Sequence, residues 1–162
     1  MAPEYDAPVS FPRQKVLPDW IDFNGHMNVA YYLYAFDRCV DHLYNDLGVG
    51  PAFVEETGSS VFTLEAHINY LSEVVEADPL EVTGRLMDHD AKRIHAYFEM
   101  HHGTDGRIVA AMEQIGIHVS METRRPVEFE AGVTARLASM SAAHRGLPAA
   151  EYAGRVIGIR RR

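Results

Sequence analysis

The chain has 162 residues, a length at which one domain with a sizeable core is expected. Hydrophobic residues make up 47% and charged residues 23%, an ordinary globular balance, and the formal net charge of −8 argues against general binding to nucleic acid or anionic membrane. The single cysteine, Cys39, excludes an intramolecular disulfide, "MAPEYDAPVS" lacks the regions of a signal peptide, and no run approaches the roughly 18 apolar residues of a membrane span, so a cytoplasmic protein is expected.

Residues 1–9 read as a flexible N-terminal arm. "FPRQKVLPDWI" reads as a strand broken by Pro12 and Pro18. The polar stretch "DFNGHMN" follows, and then the spacing predicts a helix of about 18 residues. Its apolar stripe is Val29, Leu33, Phe36, Val40, Leu43, Tyr44 and Leu47. Asn28 fits the N-cap, and Gly48, Gly50 and Pro51 fit the stop. "SSVFTLEAHINYLSEV" alternates, with Phe62, Leu64, Ala66, Ile68 and Tyr70 on one face and Thr63, Glu65, His67 and Asn69 on the other. "LEVTGRLMDH", "KRIHAYFEMHH" and "RIVAAMEQIGIHVSM" supply three more strands, the last expected to bulge near Gly116, with "GTDG" as a hairpin turn. "TRRPVEF" reads as a loop, and residues 130–143 as a terminal helix weakened by Gly132.

One long central helix packed on a curved antiparallel sheet is an α+β architecture. The expected division is residues 10–123 as the domain and 124–162 as a C-terminal helix and basic tail. The outer sheet face, carrying Glu65, His67, Asn69, Tyr97 and Glu113, would be half-polar with open edges, which suits pairing with a second copy.

Asp22, Gly25-His26, Asn28 and Tyr32 spell D-x-x-G-H-x-N-x-x-x-Y between the first strand and the long helix. This motif and element order resemble the hotdog-fold acyl-CoA thioesterases of the 4-hydroxybenzoyl-CoA thioesterase type. "PDWIDFNGHMN", "DAKRIHAYFEMHH" and "GRVIGIRR" are similar to the betainyl-CoA thioesterases of carnitine degradation, which occur alone or fused to L-carnitine dehydrogenase. The family often has Glu and, three residues later, Arg on the central helix; here Asp37 and Val40 stand there, and Asp is one methylene shorter.

The resemblance implies hydrolysis of a small acyl-CoA by a homodimer or homotetramer, with CoA part of the substrate and no metal or other cofactor. It makes Asp22 the catalytic carboxylate, either a general base for water or a nucleophile forming a mixed anhydride. Free N–H groups near Gly25 to Asn28, at the positive end of the helix, would polarise the carbonyl, with His26 and Asn28 orienting water or substrate. A betaine acyl group would need aromatic faces for its trimethylammonium. Trp20, Tyr31 and Tyr34 are the candidates, with Tyr32 from the motif and Glu65, His67 and Asn69 from the polar sheet face as further pocket residues. Lys92, Arg93, Arg124, Arg125 and Arg160 to Arg162 are the cations available for the CoA phosphates. The histidines His95, His101 and His102 divide between two strand faces with no Cys or HExxH spacing, so no metal is expected.

Each motif residue also has a structural reading: Asp22 as an Asx turn, Asn28 as a cap, His26 as a satisfied histidine. Two other functions compete. A hotdog hydratase or dehydratase would place Asp and His five apart in a D-x-N-P-x-H-like stretch, whereas Asp22 and His26 are four apart with no proline between them. A non-catalytic acyl-CoA-binding module would bind the ester without turning it over.

Overall fold

The computed structural model describes residues 4–159 and Arg161. After short strands β1 (Val9–Ser10) and β2 (Gln14–Lys15) and a 3-10 turn (Pro18–Trp20), helix α1 runs over Val29–Asp46. A second helix that the sequence reading missed, α2 (Pro51–Thr57), starts on the proline taken as a stop signal. A proline at the first helical position gives up an N–H that would have no partner there. Strands β3 (Ser59–Tyr70), β4 (Pro79–His89), β5 (Arg93–His102) and β6 (Ile108–Ser120) follow, then α3 (Ala131–His144).

All strand pairs are antiparallel, in the order β1-β4-β5-β6-β3, with β2 also on β4. The outer edge of β4 is therefore covered by β1 and β2, while among the described residues β3 has β6 as its single neighbour. Val9, assigned to the arm, is buried and pairs with Gly84.

Helix α1 lies across one sheet face. Phe36 meets Phe98 with ring centroids 6.4 Å apart, and Gln14 Nε2 donates to the Ala35 carbonyl at 2.9 Å. The buried stripe is Tyr32, Ala35, Phe36, Cys39, Val40 and Leu43, extended by Leu47. Fully burying side chains the size of Phe36 and Leu43 contributes about 2 kcal/mol each. The expected stripe is corrected at its start: Val29 is 60% and Leu33 45% exposed, and Tyr32 takes the inward position. Helix α3 belongs to the same core through Val133, Leu137 and Met140.

The expected bulge lies not at Gly116 in β6 but opposite it, between Thr63 and Glu65 of β3. Gly116 is needed there for a different reason, because a Cβ would come within 2.6 Å of the Tyr44 hydroxyl. The bulge reverses the strand's facing, so Val61 and Ile68 both pack on the core while Phe62 and Leu64 stay exposed.

The outer sheet face is not left as open as the sequence suggested. After α3 the chain crosses it: Arg85 bonds the Pro148 carbonyl, and the Gly154 N–H donates to Glu113 Oε2 at 2.6 Å. Tyr97 is left only 2% exposed.

Two histidines tie this arrangement to pH. His144 Nδ1 accepts from the Leu86 N–H at 3.0 Å while Nε2 meets the Asp6 carbonyl at 2.9 Å. His118 stacks on Phe129 at 4.7 Å and donates from Nδ1 to the Val127 carbonyl, and its buried Nε2 has no hydrogen-bond partner among the described residues. Burial holds both imidazoles below their usual value, so the fold accommodates the neutral forms. Their contribution to stability is fully present above about pH 6.5 and is lost as pH falls through the lowered values. Denaturant midpoints should therefore be flat above about pH 7 and decline below about pH 6, with a shallower decline in His118→Phe, which keeps the stack on Phe129.

Candidate active site

Ile21 and Met27 face each other in an isolated antiparallel bridge that closes residues 22–26 into a turn. Within it the Asn24 N–H donates to Asp22 Oδ1 at 2.8 Å, the Asx turn that an Asp before "NG" favours. The Gly25 N–H donates to the Asp22 carbonyl, and the Asp22 N–H to the His26 carbonyl, both at 3.0 Å. Gly25 has φ +80°, a conformation glycine adopts without strain, and a Cβ there would meet nothing. Two more bonds fix the loop to its surroundings: Met27 N–H to the Val74 carbonyl at 2.9 Å, and Asn28 N–H to the Trp20 carbonyl at 2.8 Å.

Asn28 caps α1, its Oδ1 accepting from the Ala30 N–H at 3.0 Å. The N–H groups of Gly25, Met27 and Asn28 are thus already committed. Among the described residues, those of His26, within the expected Gly25 to Asn28 stretch, and of Val29, just after it, make no hydrogen bond. Asp22 Oδ2 is likewise without a hydrogen bond among the described residues.

These groups face a cleft of about 670 Å³ lined by Asp22, Asn24, His26, Met27, Val29 and Tyr32 on one side and by residues 70–73 on the other. His26 Nε2 pairs with Glu73 Oε2. The rings of Tyr32 and Tyr70 meet edge to face at 5.2 Å. The Tyr32 hydroxyl donates to the Ser72 carbonyl at 3.4 Å, and that of Tyr70 to the Val29 carbonyl at 3.3 Å. Burial, then the charges of Glu73 and Asp22, raise the Tyr32 hydroxyl above its usual value, so it stays a donor.

The sequence reading missed Ser72 and Glu73. They follow β3 in "LSEV", and contacts formed only in the folded chain, the Met27–Val74 backbone bond and the His26–Glu73 pair among them, bring this segment beside Asp22.

Several expected site residues lie elsewhere. Trp20, Tyr31 and Tyr34 do come together, Trp20 stacking on Tyr31 at 5.4 Å and meeting Tyr34 edge-on at 5.7 Å. They pack on one another rather than lining the Asp22 cleft, and Arg38 sits 6.0 Å from the Tyr34 ring. Glu65 and His67 line a separate outer-face cavity with His95, Glu113 and Arg155. Asn69 pairs with Ala111 on the face they share. Asp37 is exposed on α1 and does not line the cleft.

The cations gather at the opposite end of the sheet. Arg93 is held by Asp90, whose carboxyl that pairing and the Lys92 N–H keep down at about 2. Arg124 and Arg125 lie beyond β6, where the Ser120 N–H donates to the Arg125 carbonyl and the Phe129 N–H to the Ala91 carbonyl. From Val109, beside Leu71, to His118, beside Lys92, is about 30 Å along β6. Arg160 and Arg162 lie outside the described residues, and Arg161 is exposed.

A long helix laid on an antiparallel sheet in this strand order is the hotdog fold. Residues 16–137 match the family model described as the thioesterase-like superfamily, and the chain belongs to that family and is a thioester hydrolase. It is 41% identical over 144 residues to the betainyl-CoA thioesterase of Pseudomonas aeruginosa, covering 89% of this chain and 91% of that one. It is 36% identical over 154 residues to the L-carnitine dehydrogenase/betainyl-CoA thioesterase of Rhizobium meliloti, covering 95% of this chain and 31% of that longer protein. A Staphylococcus aureus protein solved in complex with CoA superposes with a TM-score of 0.88 at 27% identity, over 98% of this chain and 100% of that one.

The cap bond separates two roles for Asn28. Asn28→Ala should lower stability by about 1 kcal/mol in urea unfolding. Because Oδ1 is committed to the helix, thioester turnover should fall far less than in Asp22→Asn. A loss equal to that of Asp22→Asn would make Asn28 part of the chemistry.

Proposed function

We propose that the chain is an acyl-CoA thioesterase that hydrolyses betainyl-CoA to betaine and CoA. The observation that carries the chemistry is that Asp22, His26 and Val29 line one cleft, with Asp22 Oδ2 and the N–H groups of His26 and Val29 making no hydrogen bond among the described residues. The choice of ester rests on the similarity to the P. aeruginosa betainyl-CoA thioesterase over most of both chains.

The thioester carbonyl oxygen would lie against the His26 and Val29 N–H groups, where the helix start favours developing negative charge. Asp22 Oδ2 then either takes a proton from the water that attacks the carbonyl carbon or attacks that carbon itself. In both routes the C–S bond breaks and the CoA sulfur leaves as thiolate and is protonated. In the first, water supplies the acid's second oxygen directly; in the second, water then hydrolyses the Asp22 anhydride, releasing the acid and restoring the carboxylate. Cys39 does not compete as nucleophile: it is buried, its Sγ lies against the Ala35 carbonyl, and burial pushes its thiol up to about 12.

The reaction so drawn requires no metal or redox cofactor, and we place it in the cytoplasm. It does require a second copy if Lys92, Arg93, Arg124 and Arg125 are to hold the CoA phosphates, because one chain keeps them far from Asp22. The unpaired edge of β3 and the exposed Phe62, Leu64, Val29 and Leu33 support such pairing. A symmetric antiparallel join along β3 reverses the partner's strand, bringing its cationic end alongside the first copy's cleft.

The test is free-thiol release from a panel of betainyl-, short straight-chain and aromatic acyl-CoAs. Betainyl-CoA should lead, and Asp22→Asn should lose about 10²-fold or more in rate with ester binding largely kept. Preference for another ester would discard the betaine assignment. Binding without release from any ester would replace the enzyme reading with a binding module.

A further inference from the structure

The Asp22 cleft is unusual in its charge. Its lining holds two carboxylates, Asp22 and Glu73, two tyrosines, and no lysine or arginine. The one basic group in it, His26, already pairs with Glu73 Oε2, and Glu73 Oε1 takes no hydrogen bond among the described residues. Arg107 approaches from behind: Nη2 donates to the Glu73 carbonyl at 3.2 Å and Nε to Ser72 Oγ at 3.2 Å, while Nη1 pairs with Asp105. Its charge is thus shared with Asp105, Ser72 Oγ and the Glu73 carbonyl, and Arg107 itself does not line the cleft.

The reaction drawn above uses only the Asp22 carboxylate, and Glu73 keeps Oε1 beyond its contact with His26. Aromatic faces beside a carboxylate are the chemistry that holds a cation which cannot donate a hydrogen bond, such as a quaternary ammonium. Tyr70 and Glu73 lie on the wall across from Asp22 and the helix start, where an acyl group held at its carbonyl would extend. We infer that Tyr70 and Glu73 are the specificity-determining residues for a permanently cationic acyl group, and that the Trp20–Tyr31–Tyr34 cluster is not. This rests on the betainyl-CoA reading above and names the side chains that would enforce it.

The experiment compares betainyl-CoA with 3,3-dimethylbutanoyl-CoA, which has the same shape with carbon in place of the charged nitrogen. In the wild type kcat/KM should favour betainyl-CoA by about tenfold or more. Glu73→Gln and Tyr70→Leu should each lower that ratio about three- to tenfold, whatever they do to the absolute rates, while Tyr34→Leu should leave it unchanged. Taking a ratio within one variant removes any general effect of losing the His26 contact. Glu73 is well exposed, so Glu73→Gln will fold and is the deciding variant even if Tyr70→Leu is damaged by loss of its bond to Val29. A wild-type preference for betainyl-CoA that Glu73→Gln leaves unchanged overturns this inference alone. No wild-type preference between the two esters overturns both it and the betaine assignment.

Discussion

The site depends on how one short loop is held at both ends. The Asn28 N–H reaches back to Trp20 and the Met27 N–H reaches across to Val74, while the Ile21–Met27 bridge closes the turn between them. These are ordinary backbone bonds, each of modest net value, but together they leave the loop one position relative to both helix and sheet. That position puts Asp22 just ahead of the first turn of α1, where N–H groups have no helical partner. The same Val74 bond draws the end of β3 to the loop, so Tyr70 and Glu73 face Asp22 without any side-chain contact having to specify it.

Within the loop, the hydrogen bonds decide which groups are available for chemistry. Most of the donors that look free in the sequence are used to make the loop rigid. Among the described residues, the groups left without a hydrogen bond include Asp22 Oδ2 and the N–H groups of His26 and Val29. A rigid loop with a few unsatisfied groups is what electrostatic preorganisation requires, since nothing need reorganise as charge develops on the carbonyl oxygen.

The groups proposed for the two parts of the substrate also lie apart: Asp22 and Glu73 at the helix entry, and Lys92, Arg93, Arg124 and Arg125 at the other end of the sheet. A substrate with a cationic acyl group and a polyanionic carrier has the same division. One chain cannot serve both ends of it, because the two clusters are separated by most of the length of β6. An antiparallel partner at the β3 edge would remove that separation.

The sequence by itself determined the local pieces. Alternation placed the long strands, the three- and four-residue spacing placed α1, and Asn28 marked the cap, because these signals act over a few neighbouring residues. The D-x-x-G-H-x-N run likewise located the carboxylate and the helix entry. Only the tertiary structure decided what met what. A bulge between Thr63 and Glu65 reversed part of β3, the C-terminal segment covered Tyr97, and Trp20, Tyr31 and Tyr34 packed on each other instead of on the cleft. Glu73 gave no local sign of its place, since its neighbours in sequence do not include the loop that Val74 holds. Pattern is set by bonds along the chain, whereas a cleft is set by pairings between residues tens of positions apart.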